Sequence, residues 1–142
     1  MSKRILIADD GSEVRQVVRA IIEARTDYVV CGEAATGVEA IEKAQELKPD
    51  LVLLDIAMPM LNGVEVASVL AGSMPQLPIV LYTMYSELLG LSLASAVHAK
   101  AVISKADGMN KLLECVQGLL GPPPEAPIAD TAATPIPKSP VT

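Results

Sequence analysis

Apolar residues fall along this chain in two alternating patterns: short unbroken runs, and longer stretches with helical spacing. The runs are Ile5-Leu6-Ile7-Ala8, Tyr28-Val29-Val30-Cys31, Leu51-Val52-Leu53-Leu54, Pro78 to Thr83, and Ala101-Val102-Ile103. Runs this short and this uniformly apolar predict strands buried on both faces, as in a parallel sheet. After the first run, Val14, Val17, Val18, Ile21 and Ile22 recur at the spacing of one helical face. A second helix carries Val38, Ile41, Ala44 and Leu47; Thr36, with Glu39 three residues on, caps it and Pro49 stops it. Asn62-Gly63 opens a third helix over Val64 to Ala71, closed by Gly72. Ser86 to Ala96 predicts a fourth, weakened by Gly90, and Met109, Leu112, Leu113, Val116, Leu119 and Leu120 predict a fifth that ends before Gly121.

Strict alternation of strand and helix, five times over, predicts an α/β fold: a doubly wound, parallel five-stranded sheet with right-handed crossovers and helices on both faces. The usual order for five such strands, 2-1-3-4-5, sets strands one and three side by side where the winding reverses. Ligands of such sheets bind outside the carboxyl ends of the strands at that point. The residues at those ends are therefore the ones to inspect.

Composition narrows the picture further. The 142 residues suit one domain, and 51% are hydrophobic without any Phe or Trp, so the core must be aliphatic. From Gly121 onward the pattern lapses, and this stretch holds seven of the eleven prolines. Residues 1–120 are expected to fold and residues 121–142 to form a proline-rich disordered tail. A net charge of −6 argues against direct nucleic-acid binding, which depends on Lys and Arg neutralising phosphates. Cys31 and Cys115 have no metal-ligand spacing and read as small core residues in a reducing compartment. The apolar run near the start is too short for a signal peptide, and no stretch has the length of a membrane span, so a cytoplasmic protein is expected.

The strand ends carry Asp9 and Asp10, Asp55, Thr83, and Lys105. Asp10, three residues before Glu13, also fits a helix capping box, which is a purely structural use for it. Three carboxylates brought together repel one another, and a hard divalent cation with oxygen ligands relieves this; Mg²⁺ suits a site that must also admit a phosphoryl group. With Thr83 and Lys105 to contact phosphoryl oxygens, Asp55 at the end of the central strand is the acceptor such a set implies. His98 has no partner at catalytic or ligand spacing and reads as a surface residue.

This ordered set, with Asp55 followed by Met58-Pro59 and Gly63, resembles the receiver domain of bacterial two-component response regulators over roughly residues 3 to 120. The resemblance implies a flavodoxin-like fold with Asp55 as phosphoacceptor and Thr83 and Lys105 as phosphoryl contacts. It also implies Mg²⁺ held by Asp9, Asp10, Asp55 and the main-chain carbonyl of Ala57. The partners it implies are a sensor histidine kinase or phosphotransfer protein, a downstream protein, and a second copy meeting the face made by the fourth helix, fifth strand and fifth helix. That face holds the leucines of the fourth helix and Val102, which replaces the family's usual switch aromatic. Met84 stands where a small residue is usual, and Ala106 where proline commonly follows the lysine.

The expected function is a phosphorylation-controlled switch that is no enzyme beyond its own phosphorylation and dephosphorylation. A second reading is the receiver half of a transcription factor. A third, an aspartyl-phosphate hydrolase of the haloacid dehalogenase type, needs a second acid where Ala57 stands, so turnover of phosphate esters is not expected. A scaffold that is never phosphorylated would have lost site residues, and all five are present.

Overall fold

The computed structural model describes residues 2–83 and 99–121, with Thr83 described through its backbone. The expected fourth helix with its leucines, Met84, His98 and the proline-rich stretch 122–142 lie outside the described residues. Five strands form one parallel sheet: β1 (Arg4–Ala8), β2 (Val29–Ala34), β3 (Leu51–Leu54), β4 (Ile79–Thr83) and β5 (Ala101–Ser104). Their order is β2-β1-β3-β4-β5, the order expected of a doubly wound sheet. Between them run α1 (Ser12–Arg25), α2 (Gly37–Leu47) and α3 (Gly63–Ser73), and a C-terminal helix (Met109–Leu120) closes the described fold.

The apolar runs are apolar because both faces of the sheet are covered. On one face Ile5, Ile7, Leu51, Leu53, Val80 and Tyr82 pack under α1 and the C-terminal helix through Val18, Ile22, Leu112, Leu113 and Val116. On the other, Leu6, Ala8, Val52, Leu54, Ile79 and Leu81 meet α2 and α3 through Ala40, Ala44, Val66, Ala67 and Leu70. Burying each large aliphatic side chain contributes about 1.5–3 kcal/mol. All four residues of β3, the strand leading to Asp55, are buried.

Several local expectations need correction. The buried helical stripes are narrower than the periodicity implied: Val17 is 51% and Val38 41% exposed, while small Ala40 is buried in the core. Helix α3 runs through Gly72 to Ser73, because Gly72 faces open space and its lower helix propensity costs only about 1 kcal/mol. It starts at a complete capping box between Asn62 and Glu65. Strand β2 continues to Ala34, with Cys31 an extra residue between the Ile5–Val30 and Leu6–Gly32 pairs. Cys31 and Cys115 are half-buried free thiols rather than full core residues.

The Asp10–Glu13 capping box does not form. Gly11 is the N-cap of α1 without a side-chain cap, and its N–H donates instead to Asp9 Oδ1 at 2.8 Å. At the far end of the domain the Tyr28 hydroxyl donates to the Gly121 carbonyl at 2.7 Å, fixing where the chain leaves the C-terminal helix. No helix among the described residues is long and apolar enough to cross a membrane.

Candidate functional site

Strands β1 and β3 are neighbours, and their ladders extend one residue past the strand ends. Asp9 N–H donates to Ala34 O and Asp55 N–H to Ala8 O, both at 2.9 Å. This leaves the Asp9 and Asp55 side chains buried at the carboxyl edge of the sheet, 3% and 5% exposed, with Asp10 exposed beside them. One carboxylate oxygen from each of the three lies within 4.8 Å of the others. At an effective dielectric of about 20, each such pair repels by about 3 kcal/mol or more.

Lys105 reaches this cluster from the end of β5. Its ammonium lies 2.7 Å from Asp9 Oδ2 and 3.4 Å from Asp55 Oδ2, so its closer partner is the first acidic residue rather than the central one. The short 3₁₀ turn Lys105–Asp107 aims it, with Ser104 Oγ accepting from Ala106 N–H at 3.1 Å. The peptide before Ala106 is trans. Beneath the ammonium lies the ring of buried Tyr82, its centroid 5.6 Å from Nζ, close enough for a cation–π attraction.

Electrostatics reflect this crowding. Burial pushes the Asp55 carboxyl above its ordinary value; Lys105 and the Ala57 N–H pull it down, the Asp9 charge raises it, and the net direction is upward. Burial works against the Lys105 ammonium, but the hydrogen bond to Asp9 and the charges of Asp55 and Asp9 outweigh it and raise its pKa. Three carboxylates against one ammonium leave two negative charges uncompensated. An oxygen-only donor set with that deficit matches a hard divalent cation.

The loop after β3 supports Asp55 from below. Ile56 and Met58 are buried in the α2 and α3 core, and Gly63 N–H returns to Ile56 O at 2.9 Å. Gly63 is packed against the main chain of Asp55 and Ile56 so closely that no side chain fits there. Exposed Ala57 sits at the rim and donates its N–H to Asp55 Oδ1 over a long 3.4 Å.

Of the residues singled out from sequence, the structure brings Asp9, Asp10, Asp55 and Lys105 together, with Ala57 alongside. The side chain of Thr83 lies outside the described residues, although its backbone pairs with Ser104 at the end of β4. Among the described residues Asp10 has neither a cap nor an ion-pair partner. Sequence reasoning missed Tyr82, whose place one residue before the strand end was the available signal. It also missed a groove of about 280 Å³ between α1 and the C-terminal helix, lined by Glu13, Val14, Val17, Tyr82, Lys105 and Met109, which accounts for the exposure of Val17.

The model of the response regulator receiver domain matches residues 5–117, and the chain belongs to that family of two-component signalling domains. It is similar to the transcriptional regulatory protein LnrK of Bacillus subtilis, 36% identical over 105 residues that cover 74% of this chain and 44% of that protein. It is also similar to the chemotaxis protein CheY of Thermotoga maritima, 49% identical over 65 residues, 46% of this chain and 53% of CheY. The chain thus spans about half the length of these curated relatives. Among solved structures it resembles the response regulator TrrA of Thermotoga maritima in complex with Mg²⁺ and BeF, with a TM-score of 0.74, 32% identity, and 82% and 98% of the two chains covered. A receiver domain is a signalling module and not an enzyme as such.

Proposed function

We propose that this chain is a phosphorylation-controlled switch. It takes a phosphoryl group from a phosphohistidine of a sensor kinase or phosphotransfer protein onto Asp55, and changes its affinity for a protein partner. The observation that carries the reading is the burial of Asp55 between an acidic pair and the Lys105 ammonium, at the switch point of the sheet. The donor set fits Mg²⁺, with Asp9, Asp10, Asp55 and the Ala57 carbonyl as its holders; when bound, the ion supplies charge neutralisation for the phosphoryl oxygens.

The chain's own residues do the rest. Burial keeps water from Asp55, and the central strand fixes the direction of the attacking oxygen. As the new O–P bond forms, the P–N bond of the donor breaks, and the imidazole nitrogen keeps the electron pair and takes up a proton. Lys105, already between Asp9 and Asp55, moves a short distance to pair with a phosphoryl oxygen, and Thr83 at the end of β4 offers it a hydroxyl. A partner or second copy then reads the face of β5 and the C-terminal helix. Residues 1–120 form the receiver domain and 121–142 a proline-rich tail, in a cytoplasmic protein.

Acetyl phosphate with Mg²⁺ should add one phosphoryl group, detected by intact mass and placed at Asp55. Labelling that persists in Asp55→Ala, or that proceeds equally in EDTA, would overturn the assignment. A second reading, the receiver half of a transcription factor, is favoured by the likeness to LnrK, of which the chain spans 44%. The intact mass of the native protein separates the two.

A further inference from the structure

The acidic loop is held from outside the carboxylate cluster as well as within it. Arg15, in the first turn of α1 and 17% exposed, turns its guanidinium back over the loop. Nη1 donates to the main-chain oxygen of Asp9 at 2.7 Å, and Nε donates to Glu33 Oε1 at 2.9 Å. Glu33, in β2, is braced in turn: Arg19 Nη1 donates to its Oε2 at 2.7 Å, and Lys43 Nζ donates to its main-chain oxygen.

The oxygen that Arg15 grips belongs to the peptide joining Asp9 to Asp10. That unit is planar and runs from the Asp9 Cα to the Asp10 Cα, so holding its oxygen restrains the nitrogen and the Asp10 Cα from which that side chain leaves. Asp9 has other restraints, since Gly11 N–H and Lys105 hold its carboxylate and Ala34 O holds its N–H. The Asp10 carboxylate has no partner among the described residues. The Arg15 contact is the side-chain hydrogen bond to the peptide from which Asp10 leaves.

We propose that Arg15, braced by Glu33, is a positioning residue for divalent-cation binding: it holds the Asp9–Asp10 peptide plane so that both carboxylates face one site. The inference rests on the reading of those carboxylates as metal ligands. Charge and position here pull in opposite directions, which makes the idea testable. As a bare positive charge Arg15 repels a cation, so its loss should tighten binding. As a support for the ligands its loss should weaken binding, and groups that orient metal ligands typically account for about 10–100-fold in affinity.

The test is calorimetric titration of Mg²⁺ into the full chain and its variants, with urea unfolding of each to confirm folding. Arg15→Met is expected to weaken the Mg²⁺ dissociation constant about tenfold or more. Arg19→Met removes the same charge from the same glutamate without touching Asp9, and should change the constant less than Arg15→Met does. Arg15→Lys keeps the charge, but an ammonium lacks the planar fork that serves two acceptors at once, so the loss should persist in part. Parental or tighter Mg²⁺ binding by Arg15→Met overturns the proposal; if that variant does not fold, parental binding by Arg15→Lys overturns it instead. A parent that binds no Mg²⁺ overturns the metal-site reading and the role of Arg15 with it. A parent that binds, with Asp10→Asn weakened and Arg15→Met unaffected, overturns the role of Arg15 alone.

Discussion

Alanine at Gly63 and alanine at Gly72 put the same methyl group at the two ends of α3, with opposite expected effects. A β-carbon on Gly63 would press into the main-chain oxygen of Asp55 and lie 2.8 Å from Ile56 Cα. Unstrained carbon contacts sit at about 3.5–4.0 Å, so the start of the helix must retreat by roughly 0.7 Å or more. Retreat is opposed by the 2.9 Å bond from Gly63 N–H to Ile56 O and by the fully buried Val66, Ala67 and Leu70 further along the helix. Overpacking of this kind costs about 1–3 kcal/mol, and the better helix propensity of alanine returns at most about 1. The net expectation is a loss of about 1–2 kcal/mol. Gly72 has nothing within 4 Å, so alanine there should gain about 0.5–1 kcal/mol. With a urea m-value of about 1–3 kcal/mol/M, the two midpoints should move in opposite directions by roughly 0.2 to 2 M. The Gly63 variant should also label at Asp55 more slowly than its folded fraction explains, because a displacement of about 1 Å at a reacting group can cost about a hundredfold. A Gly63→Ala protein as stable as the parent would refute the close-approach argument.

Three further outcomes are expected. Asp10→Asn removes a carboxylate that sits beside two others with no ion-pair partner of its own among the described residues, and should stabilise the protein in EDTA by about 1 kcal/mol after allowance for solvent screening. The same change should abolish stabilisation by Mg²⁺; a variant still stabilised by Mg²⁺ as the parent is would remove Asp10 from the site. Burial pushes the Glu33 carboxyl up, but its bonds to Arg15 and Arg19 outweigh this and hold it below its ordinary value. A lowered folded pKa means stability that is full above the unfolded value of about 4.3 and lost as pH falls through the folded value. The stability gap between parent and Glu33→Gln should therefore be open at neutral pH and close below about pH 4, and a gap constant with pH in urea titrations would contradict the pairing. Truncation after Gly121 retains the acceptor of the Tyr28 hydroxyl and should change stability by less than about 1 kcal/mol, whereas Tyr28→Phe, which loses that bond, should cost about 1 kcal/mol.

The sheet and its order were legible because strands buried on both faces leave unbroken apolar runs, and strict alternation with helices admits few windings. The acidic cluster was legible because its members stand at strand ends, where the topology alone brings them together. What escaped notice depends on directions that only the assembled fold supplies. Asp9, two residues before Gly11, takes the Gly11 N–H in an Asx-type turn, so the chain enters α1 without the cap expected from Asp10, and two adjacent aspartates look alike in sequence. Val17 and Val38 satisfy a helical period, yet each helix buries only the stripe that faces the sheet. The tie from Arg15 to the Asp9 carbonyl ends on a main-chain atom, which no residue pattern can reveal.

The bond from Lys105 to Asp9 spans 96 residues of sequence. It can close only after β3 has paired with β1, β4 with β3, and β5 with β4, since the lysine reaches the first strand across the whole of that ladder. A nascent chain with its last third still in the ribosome, or a fragment cut before β5, has the acidic residues but not their counter-charge. Such a species carries a bare cluster of like charges at its sheet edge, which opposes compaction until synthesis is complete. Neutralisation of the acidic cluster is thereby tied to β5, the last strand of the described sheet.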